Sequence, residues 1–426
     1  MKVKELISAI SNNEFDSNFK AVYVTEEAVK EQKPRYIETL NTFGELFGFE
    51  REVSVMSAPG RTEVCGNHTD HNNGKVLAAS INLDAIAVVS KNDDNTIRVK
   101  SKGHKMNVVD LNDLEPDEKR YGDSTTLVQG VAAGIKNLGF DVKGFDACTT
   151  SDVMGGSGLS SSAAFEVLLG TVLSYLYNDG KISEVDIAKV AQYSENVFFG
   201  KPCGLLDQMA SSVGTFVTID FKSTSEPVIK KVNFDFSKSG HSLCIVDTGG
   251  SHSDLTDDYA AVRGEMEAVA NALGKKVLRE ADYEEFFKAI PELTGKVNDR
   301  AILRAIHFYN ENKRVDRAVE LLENGDFEGF KNIILESGKS SYELAQNVYT
   351  PKNPTEQKVS LALAVSEEIL KGRGAWRVHG GGFAGTIQAF VPNDLLDTYK
   401  QTMESIFGKG NCYVLIIRPV GGTQVI

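Results

Sequence analysis

Between a strand-like run, Phe145–Val153, and a long apolar run at helical spacing, Ala163–Tyr177, the chain reads Gly155-Gly156-Ser157-Gly158-Leu159-Ser160-Ser161-Ser162. No other segment limits the possible folds as strongly. Glycines let a backbone approach a ligand closely, and the serines stand where a helix leaves its first N–H groups without partners. Free donors and the positive end of a helix dipole make such a junction an anion site, with phosphate as the usual occupant. Three serines in a row exceed what an N-cap requires.

The common phosphate-binding frames are excluded. Nothing matches G-x-x-x-x-G-K-[ST], and no H-R-D or D-F-G triplet occurs. Gly380-Gly381-Gly382-Phe383-Ala384-Gly385 formally fits G-x-G-x-x-G. The TIQAFVP that follows alternates like a strand and stops at proline, where a dinucleotide fold needs a helix.

Elsewhere strands and helices mix without a regular βαβ period. VSVMSAPGR, KVLAASINLDAIAVVSK and TIRVKS read as strands, whereas Arg35–Glu50, Leu127–Leu138 and Glu184–Phe199 read as helices. Three or four helices are expected across Tyr259–Gly372, before closing strands GTIQAFVP and CYVLIIRP. The expected class is therefore α+β. A chain of 426 residues exceeds one ordinary core. The polar stretch Lys222–Lys231 sets the expected division into domains 1–225 and 226–426. The first thirty-odd residues read as a polar helical lead-in with no functional role assigned.

Charge narrows the partners. Lys and Arg number 46 against 59 Asp and Glu, so the net charge is 46 − 59 = −13, which argues against nucleic acid and anionic membrane surfaces. No apolar run is long enough to span a bilayer. Five scattered cysteines without a C-x-x-C pair point to a reducing cytoplasm rather than a disulfide framework or zinc site.

Two further segments carry chemistry. Pro59–Gly74 places Arg61, Asn67, His68, Asp70 and His71 in one polar stretch, which suits the many donors and acceptors a sugar requires. A solvated hairpin turn is the plainer alternative. Lys201–Gln208 sets Asp207 among apolar neighbours, as a helix cap or a partly desolvated base.

Taken in order, PGRTEVCGNHTDHNNG, GGSGLSSSAA, CGLLDQ and HGGGFAGT resemble the signatures of the galactokinase branch of the GHMP small-molecule kinases. The resemblance covers most of the chain from about residue 35 onward. It implies a ribosomal-protein-S5-domain-2-like N-terminal domain, a ferredoxin-like C-terminal domain and an active site in the cleft between them. It implies ATP and Mg²⁺, with phosphoryl transfer to the anomeric hydroxyl of galactose by a cytoplasmic enzyme expected to be a monomer.

By position, the resemblance makes Asp207 and Arg61 catalytic, and Gly156, Ser157, Gly158, Leu159, Ser160, Ser161 and Ser162 the nucleotide loop. Ser162 and Glu195 match metal positions, and Asn67, His68, Asp70, Gly204 and Tyr259 match sugar contacts. Asn67 replaces the family's glutamate at the sugar's C6 hydroxyl, and His71 replaces a tyrosine. Those departures leave a kinase for galacturonate or another C6-modified hexose as the alternative. A sugar and ATP sensor without turnover is a further one.

Overall fold

The computed structural model describes residues 1–153, 158–250 and 255–426. In chain order the elements begin with α1 (Val3–Ser11), α2 (Asp16–Tyr23), α3 (Glu26–Phe47), β1 (Ser54–Cys65) and β2 (Lys75–Lys91). β3 (Thr96–Ser101), β4 (Met106–Asp110), α4 (Ser124–Asn137), β5 (Phe145–Ser151) and α5 (Ser161–Tyr177) follow. Next come α6 (Glu184–Tyr193), α7 (Leu206–Val213), β6 (Phe216–Asp220), β7 (Val228–Val232) and β8 (His241–Asp247). The helical stretch holds α8 (Thr256–Ala272), α9 (Tyr283–Leu293), α10 (Asp299–Glu323), α11 (Phe327–Ser340) and α12 (Lys358–Leu370). β9 (Ala375–Val378), β10 (Thr386–Pro392), α13 (Leu396–Phe407), β11 (Cys412–Leu415) and β12 (Thr423–Gln424) complete the chain.

These elements fall into two compact units. One comprises Met1–Arg61, Ser80–Thr215 and Arg418–Ile426, and the other Thr62–Ala79 and Phe216–Ile417. The chain therefore passes from unit to unit four times. The expected single division near residue 225 lies close to the Thr215–Phe216 passage.

In the first unit the strand order is β12-β1-β2-β5-β3-β4. β5 lies between β2, antiparallel to it, and β3, parallel to it. Three N-terminal helices bury their apolar stripes against this sheet. Leu6 and Ile10 of α1, Phe19 of α2, and Tyr36, Leu40 and Phe43 of α3 pack with Val55, Ile86, Val88 and Cys148. The four- and three-residue steps of the α3 set place them on one helix face, and each buried side chain of this size contributes about 1.5–3 kcal/mol.

The polar lead-in read from the sequence is thus part of a core. Helix α3 starts nearer the N-terminus than the expected Arg35, capped by Thr25, whose hydroxyl accepts from the Ala28 N–H at 3.2 Å. It runs through Pro34, because tertiary packing on both sides of the proline outweighs the one missing N–H. Helix α5 is buried on nearly every side, which explains its apolar run.

In the second unit, β6 pairs with residues Lys75–Ala79 of β2 and with β7. A separate antiparallel sheet has the order β11-β8-β10-β9. Read along the chain, this is the 4-1-3-2 order of a ferredoxin-like βαββαβ arrangement. Val359 and Leu370 of α12 and Tyr399 and Met403 of α13 pack on it. Five helices occupy the stretch where three or four were expected. Asp282, Asn298 and Asp326 each accept a hydrogen bond from the third helical N–H and so start a new helix. Among the described residues, no helix is long and apolar enough to cross a membrane.

Candidate active site

β5 delivers the chain to the glycine–serine segment, and α5 begins on its far side at Ser161. Gly156 and Ser157 lie outside the described residues. Ser160 precedes the helix at φ +61°, an unusual backbone for a side chain with a Cβ. Its hydroxyl does not cap α5. It donates instead to Oδ2 of Asp207. The first intrahelical bond runs from Ala164 N to Ser160 O at 3.1 Å, so the N–H groups of Ser161, Ser162 and Ala163 are the ones the helix itself leaves unpaired.

Asp207 sits in the first turn of α7, and Arg61 reaches it from β1. Arg61 Nε donates to Asp207 Oδ1 at 2.7 Å, and Nη2 lies 2.7 Å from the same oxygen. Arg61 also donates from Nη1 to the Gly158 carbonyl, and its backbone N–H donates to Leu159 O at 3.1 Å. One arginine thereby ties the serine turn to the carboxylate. Burial alone would raise the Asp207 carboxyl, but the Arg61 charge and the hydrogen bonds from Arg61 and Ser160 outweigh it and hold it below the usual carboxylate range. The side chain keeps 37% exposure, enough to meet a ligand. A cavity of about 540 Å³ adjoins the helix start, lined by Ser101, Asn107, Thr150, Val153, Ser161 and Phe165.

Beside this pair lies a carboxylate cluster that the sequence reading saw only in part. Glu195, in a π turn at Ser194–Phe198, accepts from Lys201 Nζ at 3.0 Å and from Gln208 Nε2 at 2.9 Å. Glu166 and Gln208 were not anticipated. Both are fully buried, and Glu166 Oε1 and Gln208 Oε1 have no hydrogen-bond partner among the described residues. Burial, followed by the Glu195 charge, pushes the Glu166 carboxyl well above its usual range. The available signal was a lone acid in an otherwise apolar helix, one turn after Ser162. Ser162 is half-buried in the first turn of α5, and Gly204 is exposed just before α7. Among the described residues, no group of three or more His, Cys, Asp or Glu could hold a metal ion.

In the second unit, three residues expected to touch sugar hold three successive carbonyls of the glycine run. Asn67 Nδ2 donates to Gly380 O at 2.7 Å, His68 Nε2 to Gly381 O at 2.8 Å, and the Tyr259 hydroxyl to Gly382 O at 3.0 Å. Gly382 has φ +78°, and a Cβ there would lie 1.9 Å from Asn347 O, so only glycine fits. Asn67 is 1% exposed. Its amide also donates to Glu63 at 3.0 Å and accepts from Asn347 at 2.8 Å. The amide expected to meet the sugar's C6 substituent thus has both its nitrogen and its oxygen engaged within the unit. Asp70 is half-buried in a short 3-10 turn at Asp70–Asn72.

His307 of α10 supports the same loop, with Nε2 donating to Asn67 O at 2.9 Å and Nδ1 accepting from the Ser340 hydroxyl at 2.8 Å. Burial lowers its pKa to about 4, against the opposing pull of Glu311. The folded ring stays neutral while the unfolded one protonates near 6.5. This residue's contribution is therefore full above pH 6.5, declines as pH falls to about 4, and is constant below that. The window corresponds to about 3 kcal/mol. His307→Gln should flatten the fall in stability across it in denaturation curves. Equal slopes for the two proteins would contradict this.

Residues 41–91 match the galactokinase galactose-binding signature, and residues 126–215 match the GHMP kinase N-terminal domain. A galactokinase of Streptomyces coelicolor is 32% identical over 370 residues, 86% of this chain and 91% of that protein. One from Actinobacillus pleuropneumoniae is 31% identical over 389 residues, 88% of this chain and 94% of that protein. Among solved structures, Lactococcus lactis galactokinase complexed with galactose aligns with a TM-score of 0.74 at 24% identity, covering 90% of this chain and 98% of that one. Methanococcus jannaschii mevalonate kinase aligns with a TM-score of 0.62 at 14% identity, over 86% and 98%. The fold is that of the GHMP kinases, and the chain belongs to the galactokinase family.

Proposed function

We propose that the chain is an ATP-dependent kinase that transfers the γ-phosphoryl group to the anomeric hydroxyl of galactose, giving galactose 1-phosphate and ADP. The observation that carries this reading is the Arg61–Asp207–Ser160 triad at the start of α5. Phosphoryl transfer asks chiefly for positioning and charge neutralisation. The unpaired N–H groups of the α5 start take the phosphates, and Asp207 accepts a hydrogen bond from the sugar hydroxyl. Asp207 is a weak base, because its pKa is held low. It therefore aligns the hydroxyl oxygen first, and takes the proton only as the bond to phosphorus forms. Arg61 keeps Asp207 ionised and offsets charge on the transferring group.

A divalent cation fits the donors nearby. Glu195, the Glu166 and Gln208 oxygens without a partner among the described residues, and the Ser162 hydroxyl are hard oxygen donors of the kind Mg²⁺ takes. Ser162 and Glu195 would hold it, with Lys201, whose side chain is 63% exposed, free to swing away. When bound, the ion neutralises phosphate charge. By their match to the family's sugar positions, Asn67, His68, Asp70, Gly204 and Tyr259 are the proposed sugar contacts, and Asn67, His68 and Tyr259 also order the glycine run.

The galacturonate alternative rests on the charge missing at Asn67 and on His71, which the hydrogen bonds of the Asn67 amide leave as they are, so the overall match to galactokinases carries the choice of galactose. ADP release measured with galactose, glucose and galacturonate tests the choice. Galactose should exceed galacturonate in kcat/KM by about tenfold or more. A preference for galacturonate, or no turnover of any hexose, would overturn the proposal.

A further inference from the structure

The glycine–serine segment has two described flanks, and an arginine holds each. Arg61 secures the C-terminal flank at Gly158 and Leu159. The N-terminal flank is secured from helix α3, by residues that the proposed mechanism does not use. Asp152 follows β5 directly. Its N–H donates to Asp84 O at 3.0 Å, and its carboxylate pairs with Arg35 Nη1 and accepts from Gln32 Nε2 at 3.3 Å. Both flanks converge on Gly60, where a Cβ would meet Leu159 O at 2.8 Å and Val153 Cγ1 at 3.1 Å.

Arg35 is anchored in turn. Its Nη2 pairs with the fully buried Asp84, which also accepts from Tyr23 at 2.7 Å, from Arg418 at 3.0 Å and from Ser57. Two arginines and two aspartates make this cluster neutral. The Asp152 side chain is 36% exposed, so water could hydrate it without Arg35 or Gln32. Those two bonds therefore serve placement rather than solvation. They persist although Arg35 Nε and Gln32 Oε1 are buried without partners among the described residues.

We propose that Arg35 and Gln32 are positioning residues for the phosphate loop. The N-terminal helices, through Asp152, fix the point at which the chain leaves β5 for the loop and the contact of Val153 with Gly60 beside Leu159. The inference rests on the nucleotide reading of the serine segment.

Gln32→Ala is the decisive variant, since it removes one bond to Asp152 and leaves the Asp84 cluster whole. The dissociation constant for ATP, by calorimetric titration, and KM for ATP should each rise about three- to tenfold. KM for galactose and the thermal midpoint should not move. Asp152→Asn keeps an oxygen for Gln32 but loses the charge that pairs with Arg35, so it should raise both values as well, and the two substitutions together should be less than additive because they act through one side chain. Arg35→Met is less informative, because it strands Asp84. Unchanged ATP affinity in folded Gln32→Ala overturns the proposal.

ATP titration of the wild type separates the two ways of failing. If wild type binds ATP and Gln32→Ala binds it equally well, only the positioning role is lost. If wild type does not bind ATP, the nucleotide reading of the loop falls as well.

Discussion

Replacing Asp207 with asparagine should lower kcat by about 10²- to 10⁴-fold while leaving the dissociation constant for ATP within about twofold of wild type. Asparagine preserves the shape of the side chain and can still accept from Ser160. It loses the charge that pairs with Arg61 at 2.7 Å and that directs the acceptor hydroxyl. The nucleotide, by contrast, is held by the start of α5, which does not depend on a carboxylate. Separation of kcat from ATP affinity is therefore the signature of a group acting on the acceptor. A parallel loss of both would place Asp207 in the nucleotide site instead.

The second large effect is on stability. Asp84→Asn should cost about 3–5 kcal/mol. Asp84 is fully buried and balances Arg35 and Arg418, both nearly enclosed. Burial alone would raise its carboxyl, yet the two arginines hold it below the usual range. Without that charge, Arg418 is buried with no carboxylate partner among the described residues, and Arg35 keeps only Asp152. Thermal or denaturant unfolding measures the loss, and a change below about 1 kcal/mol would contradict the account.

Local pattern disclosed what local physics determines. The apolar run of α5 and the alternation of β10 were legible because burial leaves its mark on local sequence, as a continuous run or as a period. Ser160–Ser162 stood out because a helix start has few uses for three hydroxyls. Arg61 and Asp207 are 146 residues apart, and no periodicity links them; their pairing was expected only through the family resemblance.

Burial of polar groups was least visible. Asn67 looks like a ligand contact in a polar stretch, yet its partners Asn347 and Gly380 come from distant segments. The polar N-terminal run hid a core for a related reason. Its apolar stripe is narrow, and the polar residues beside it, Gln32 and Arg35 included, bond to Asp84 within β2 and Asp152 after β5, which sequence alone does not bring near.

Phosphorus NMR of wild-type protein with ATP and galactose, run beside the Asp207→Asn variant, tests the central claim most directly. Wild type should convert the ATP resonances into those of ADP and a sugar 1-phosphate, while the variant leaves ATP intact over the same interval. Equal conversion by both proteins, or a product phosphorylated anywhere but the anomeric oxygen, would contradict it.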